Sequence, residues 1–436
     1  MKLKAYYKYL CFAAILMGSS CTLTQVNPNS ASDAQVLTTR SGIIALSIGL
    51  RQYYSTTGLS NIMVSPCVTD REVKGVATFV NVIELEQGGS NLSTPNANVL
   101  NYWSAMQAEM GMCESIINNA PKVTGLDAGT LSGIMAQAYL FKAMALSELA
   151  MAYTEANLNT STTTPVLFVP RAQVFAEAIR LLDLGVAAVT ANAPSATFIA
   201  SVTGNDFDLV NTLYAYEARV HLMNGDWQAA LDNAGKVDLT RTSKYDYSTL
   251  SPNPLYTVYN VTKSYFPRIH FGLPDSLYNP GDKRIPFYFT TPNQVINGDT
   301  VGTMAGFASS QTGSIPVYTP DEIRLIQAEA TLRLNGSLTN AVNLINAVRT
   351  QTSGDPFGVN AGLPAYSGPM TYGDLLDEVY KQRCAELYLF GLKWEDTRRF
   401  GRPAPPANNA ERNRIFYPYP QQERINNPNT PTDPTI

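Results

Sequence analysis

The chain has 436 residues, of which 45% are apolar and 15% charged, enough for two or three domains of ordinary size and a large core. That composition excludes a disordered, collagenous or disulfide-dense chain. Thirty-one Lys and Arg face 35 Asp and Glu, a formal charge of −4 with no basic block, so nucleic acid is not an expected partner.

In chain order, the first signal is a targeting segment. Lys2, Lys4 and Lys8 precede an apolar run from Leu10 to Met17, then Gly18, Ser19, Ser20 and Cys21. Such a run spans about 12 Å of helix against about 30 Å of bilayer core, so residues 1–20 read as a cleaved export signal and not as a membrane span. Cys21 after small residues looks like a lipobox cysteine, acylated to become the first residue of a body covering 21–436. The alternative is an ordinary signal peptide with an accidental cysteine. Cleavage removes three lysines and no acids, which takes the charge from −4 to −7. Cys67, Cys113 and Cys384 then remain, without CxxC spacing. Buried free thiols are expected, with a Cys67–Cys113 bridge as the alternative. His221 and His270 are the only histidines, so no metal site, cofactor or imidazole relay is expected.

Most of the body reads as helix. Leu131, Ile134, Ala138, Phe141, Ala145, Leu149 and Ala152 recur at steps of three and four, as do Leu209, Leu213, Tyr216, Val220 and Met223. Thr319-Pro320-Asp321-Glu322 supplies a cap, an N1 proline and a capping-box glutamate; Thr371 with Asp374 repeats the signal more weakly. Gly225 followed by Ala230, and Gly336 followed by Ala341, resemble the break and the small residue of a tetratricopeptide hairpin. The expected fold class is therefore mainly α: about four tetratricopeptide-like hairpins at 131–191, 206–238, 319–349 and 371–400, with little β. A generic helical bundle is the alternative.

Between Tyr245 and Phe289 the texture changes, with eleven Tyr or Phe and six prolines in 45 residues. The prolines break every periodic window, so 245–317 is expected to be irregular, with short strands. Arg383 with Glu386, and Asp396 with Arg399, read as structural ion pairs one helical turn apart. There is no HExxH, no GxSxG and no phosphate-binding glycine loop, so no catalytic residue is proposed and an enzyme is not expected.

Several runs resemble one family. Thr319 through Ala330 with Ala341, Ile345-Asn346 and Val348-Arg349, then Arg383 through Leu387, Gly391 and Trp394 through Phe400, are similar to the SusD/RagB nutrient-binding lipoproteins. Tyr417-Pro418-Tyr419-Pro420-Gln421-Gln422-Glu423 with Asn426-Asn427-Pro428 matches that family's closing run. Trp103 and Val169-Pro170-Arg171-Ala172 fit the same template. The resemblance implies a protein lipid-anchored at the outer membrane, on the cell surface. It further implies capture of glycans, peptides or glycopeptides and their delivery to a SusC-like TonB-dependent transporter. A glycan site needs flat rings for C–H faces and polar groups for hydroxyls. Tyr256, Tyr259, Tyr265, Tyr278 and Tyr288 are the candidate rings, with Asp246, Asn253, Asn260, Asp275, Asn279 and Asp282 of the same segment as polar partners, and the loop Asn61–Gly75, with Asp70 and Arg71, is a second candidate. The same tyrosines could instead fill space between helices. The rival functions are a periplasmic tetratricopeptide-like scaffold for protein partners and a glycoside hydrolase built on two carboxylates.

Overall fold

The computed structural model describes residues 33–161 and 163–436, so the signal segment 1–20 and Cys21 lie outside the described residues. Polar side chains fix where its helices begin. Thr39 opens α1 (Arg40–Tyr53), Asn96 opens α2 (Ala97–Asn119) and Asp127 opens α3 (Ala128–Ala152), each accepting a first-turn amide. Pro170 leads into α4 (Arg171–Ala191), and Asp208 caps α5 (Leu209–Asn224). The chain turns at Gly225, whose φ of 85° is left-handed, into α6 (Trp227–Ala234). Thr319 caps α7 (Pro320–Arg333), Ser337 caps α8 (Leu338–Arg349) and Thr371 caps α9 (Tyr372–Glu386); α10 (Lys393–Arg399) follows.

Helices α3 and α4, α5 and α6, and α7 and α8 pack pairwise, and each pair packs on the next: α5 on α3 and α4, α7 on α5 and α6, α9 on α7 and α8. This nearest-neighbour stacking is a tetratricopeptide-like superhelix. Ala230 and Ala341 are fully buried, small enough for their helices to approach closely. Two details differ from the sequence reading. In the third pair the left-handed residue is Asn335, at φ 54°, and not Gly336, whose amide instead donates to the Thr331 carbonyl at 2.8 Å. In 371–400 the second helix is only seven residues long, and α10 rests on the short helix Ser65–Thr69 as well as on α9.

The core centres on α3. From Ser132 to Ala152 every residue except Met135 and Tyr139 is buried, so this helix has no solvent face rather than one apolar stripe. Its neighbours are α1, α2, α4 and α5. No helix among the described residues is long and apolar enough to cross a membrane. Cys67, Cys113 and Cys384 are buried free thiols, and Cys67 and Cys113 are not bridged.

Strands are few. β1 (Val73–Gly75), β2 (Glu155–Asn157), β3 (Phe168–Pro170), β4 (Lys244–Tyr245), β5 (Tyr265–Pro267), β6 (Phe289–Ile296), β7 (Asp299–Met304) and β8 (Ile315–Pro316) form four two-stranded antiparallel sheets, paired β1–β5, β2–β3, β4–β8 and β6–β7. The closing run reaches back across the N-terminal helices. Tyr417 and Tyr419 are fully buried; the Tyr419 ring lies 5.4 to 6.3 Å from Tyr153, Phe168 and Trp103, and Tyr417 Oη lies 2.8 Å from Thr69 Oγ1.

Charge pairs tie the frame together, and one was misassigned from sequence. Arg383 does not pair with Glu386: its guanidinium donates to Asp396 at 2.7 Å, while Glu386 points toward Thr319 and Arg284. Asp396 does pair with Arg399, at 2.7 Å, and Arg399 also holds Glu329 of α7 at 2.7 Å. Spacing along one helix could not show that the partner of Arg383 arrives from the next one.

Candidate ligand-binding cleft

The segment 245–317 and the N-terminal loop meet where β1 pairs with β5, in the register Val73 to Pro267, Lys74 to Phe266 and Gly75 to Tyr265. Beyond β5 come Arg268 and three consecutive left-handed residues, His270, Phe271 and Gly272, at φ 61°, 60° and 66°. Two non-glycine residues in this region are strained, at about 1–2 kcal/mol each. The strain is offset by what the turn does. It sends Phe271 inward, against Tyr288, Phe289 and Tyr388 at 5.7 to 6.3 Å, and leaves His270 outside on the face of Tyr278, with ring centroids 3.6 Å apart and planes 4° from parallel. Position 272 must be glycine, because a Cβ there would lie 2.2 Å from the Arg71 carbonyl oxygen.

The β6–β7 hairpin supplies the opposite wall. Asn297 and Gly298, at φ 47° and 85°, make the tight turn, and Asp299 and Thr300 follow. Together these elements enclose a polar cleft of about 450 Å³ bordered by Arg71, Arg268, His270, Asp275, Asp299 and Thr300, a size suited to a small ligand. The walls are cross-linked by charge. Arg268 donates to the Val73 carbonyl at 2.8 Å, to Glu86 at 2.6 Å and to Asp299 at 3.2 Å; Arg71 pairs with the same Glu86 oxygen at 3.0 Å, and Lys74 pairs with Asp299. Burial alone would raise the Asp299 carboxyl, but the hydrogen bonds from Lys74 and Arg268 outweigh it and hold the group below its usual range. His270 Nδ1 lies 3.2 Å from Asp275 Oδ1.

Of the residues singled out by sequence, the structure brings Arg71 and Asp275 to the cleft wall and stacks Tyr278, half-buried, on a wall residue. The others lie elsewhere. Tyr259 is interior and donates to the Met63 carbonyl; Tyr265, 7% exposed, lies 3.4 Å from Asn98 Oδ1; Tyr288 is buried, 3.4 Å from the Glu386 carbonyl. Tyr256 is half-buried and does not line this cleft. Asp70, fully buried, is beneath it. Its Oδ1 accepts the Glu72 amide at 3.1 Å, and Lys393 donates to the carbonyls of Asp70 and Gly272 at 2.8 and 2.9 Å, pinning the cleft floor to α10. Burial pushes the Asp70 carboxyl up to about 7, with Lys393 opposing. Arg268, His270, Asp299 and Thr300 were not singled out as site residues. The signal that was available for the last two is Asn297-Gly298 between β-prone runs, a hairpin dipeptide.

A second, larger cleft of about 550 Å³ lies between α2 and the closing run, bordered by Gln107, Asn157, Thr160, Glu423 and Asn427. Its amides already satisfy each other: Gln107 and Asn157 exchange two hydrogen bonds of 2.8 Å.

No protein-family model and no curated protein matches the chain. Solved structures do. A SusD superfamily protein from Bacteroides thetaiotaomicron superposes with a TM-score of 0.69 at 16% identity, covering 90% of this chain and 99% of that one. The chain has the SusD fold. B. fragilis NanU aligns over 94% of this chain and 99% of its own, at TM-score 0.67 and 12% identity. A SusD-like carbohydrate binding protein from Bacteroides vulgatus aligns over 84% of each chain, at TM-score 0.63 and 16% identity. The SusD fold is thus spanned almost from end to end, the helical superhelix and the cleft-bearing segment together.

Proposed function

We propose that this chain is a SusD/RagB-type nutrient-binding lipoprotein that captures a glycan in the cleft between Arg71, His270 and Thr300 and hands it on without chemical change. The observation that carries the reading is the convergence, on a SusD fold, of a stacked His270–Tyr278 pair with arginine, carboxylate and hydroxyl groups around a polar cleft of about 450 Å³. Cleft-lining Arg71 and Arg268 are matched by Asp275 and Asp299, which favours a neutral polyhydroxylated ligand over a highly charged one. Capture by one aromatic pair and a few exposed hydrogen bonds is weak, about 10 μM to 1 mM, which suffices when a transporter takes the ligand on. Hydrolysis is disfavoured because glycosidases need a protonated carboxylic acid facing the sugar: Asp299 is held ionised, and Asp70, whose carboxyl burial raises, is sealed beneath the cleft.

Cys21 is assigned the acyl anchor at the outer membrane, on the cell surface, with a SusC-like TonB-dependent transporter as partner. The test has two arms. Calorimetric titration of the mature chain with a panel of neutral oligosaccharides is expected to give binding that His270→Ala weakens at least tenfold, with the sugar recovered intact. Cys21→Ala is expected to move the protein from the membrane to the soluble fraction. No binding across the panel, or hydrolysed product, contradicts capture; unchanged fractionation contradicts the anchor.

A further inference from the structure

A group of three carboxylates lies within the helical frame, with no part in lining the cleft. Asp321 stands in the first turn of α7, Glu386 ends α9, and Asp355 sits in the connection between α8 and α9. One oxygen from each lies within 4.8 Å of the others, and the residues are only 1%, 1% and 9% exposed.

Their surroundings do not satisfy them. Glu386 Oε1 accepts from Thr319 Oγ1 at 3.1 Å, but Oε2 receives no hydrogen bond, and the nearest Arg284 nitrogen stops at 3.5 Å. Asp355 Oδ1 accepts the amides of Phe357 and Val359 at 2.8 and 2.9 Å, while Oδ2, equally sealed from water, has no donor. Asp321 pairs with Arg324, and the Gln351 amide, turned so that both its ends are satisfied, donates to Asp321 Oδ2 at 2.7 Å. Arg284 is already committed to Asp282 at 2.7 Å. Four carboxylates therefore share two guanidinium groups, leaving two negative charges uncompensated in a buried site. Such charges are not left bare: they take up protons or bind a cation.

The donor set decides which cation. It is all oxygen, without imidazole or thiolate, which suits a hard ion. The three oxygens lie within 4.8 Å of one another in a site sealed from water, and calcium suits it better than magnesium, which gives up its waters reluctantly and is seldom held in an all-protein cage.

We propose that Asp321, Asp355 and Glu386 form a calcium site, with the two donorless oxygens of Asp355 and Glu386 as its anchoring ligands. The ion staples the α8–α9 connection to the start of α7 and the end of α9. That connection supports the cleft-bearing segment: the Ala361 carbonyl accepts the Lys283 amide at 2.8 Å, and the Phe357 ring lies 6.5 Å from Phe307. Calcium thereby braces the region from which β6 and β7 emerge.

The experiment uses the mature chain stripped with EDTA and titrated with CaCl2, followed by calorimetry and by thermal melting. The expected result is one calcium per chain and a Tm that rises with calcium and falls again on chelation. Asp355→Asn is expected to weaken binding at least tenfold while the EDTA-treated variant melts no lower than the EDTA-treated wild type, since the substitution relieves repulsion. Asp226→Asn, on the surface turn after α5, is expected to leave the titration unchanged. Absence of heat and of any Tm change with millimolar calcium overturns the proposal. So does equal saturation by magnesium, a calcium site that survives Asp355→Asn, or a Tm that responds to acid and not to calcium, which would mean that protons balance the cluster.

Discussion

The superhelix of α3 to α9 and the segment 245–317 build their interiors by different means. In the superhelix, regular backbone brings apolar side chains to a shared face, so mostly aliphatic residues suffice: Leu140, Leu146, Leu149, Leu213 and Ile326 are all fully buried. In 245–317 the backbone repeats nothing, and rings do the filling. Tyr259, Phe271, Tyr288, Phe289 and Phe307 are all interior, with Tyr288 and Phe271 packing edge-on at 6.3 Å. A dense run of tyrosines within proline-rich sequence therefore marks a core without long helices, its helical pieces being short ones such as Tyr256–Thr262 and Arg284–Tyr288, more than it marks a ligand platform. At His270, which a strained turn leaves outside, Tyr278 backs the cleft wall by stacking on the lining histidine.

The comparison can be broken most severely by charge. Arg219 of α5 holds Glu322 of α7 through two hydrogen bonds of 2.6 Å, both groups buried. Arg219→Ala strands that carboxylate and is expected to cost about 3–5 kcal/mol in urea unfolding. If the segment's rings are core, Tyr288→Ala is expected to cost a similar amount, about 3–5 kcal/mol, whereas a loss below about 1 kcal/mol would show that the ring is dispensable packing.

The frame also carries a pH signature. Burial raises Glu148 of α3 to about 8, with Tyr102 Oη donating to it at 2.9 Å. Its proton binds the folded state more tightly than the unfolded one, so its contribution is complete below about pH 4.5 and is lost as pH rises through about 8. Stability is expected to fall across that window by about 1.4 kcal/mol per pH unit for this group, and Glu148→Gln should flatten the slope; an unchanged slope would contradict the assignment. The smallest stability effect belongs to the cleft rim. Half-buried Tyr278 stacks on His270 and packs at the margin of the small Leu273, Tyr380 and Cys384 cluster, so Tyr278→Ala should cost about 1–2 kcal/mol in a thermal melt while weakening glycan binding. A large melting change with unaltered binding would place Tyr278 with the core instead.

What the sequence made legible follows the same division. The capping boxes at Thr319 and Thr371, the Gly225 break and the helical periods carry their information locally, within one turn, and the structure has helices there. The partner of Arg383 comes from the next helix, and the inward or outward sense of each tyrosine depends on contacts hundreds of residues away, such as Tyr388 Oη donating to the Glu72 carbonyl at 3.0 Å. No local pattern encodes those. Asn297-Gly298 was legible and would have placed Asp299 and Thr300 on a hairpin. The left-handed run at His270 was not: histidine visits that conformation more readily than most residues, but the bulky Phe271 beside it does not.

The most direct measurement is a crystal structure of the mature chain soaked with the tightest-binding neutral oligosaccharide from the panel. The account predicts sugar density against the His270–Tyr278 pair, with hydroxyls bonded to Arg71, Asp275 or Thr300. Density in the cleft beside Gln107 and Asn427, with the His270 cleft filled only by water, would contradict it.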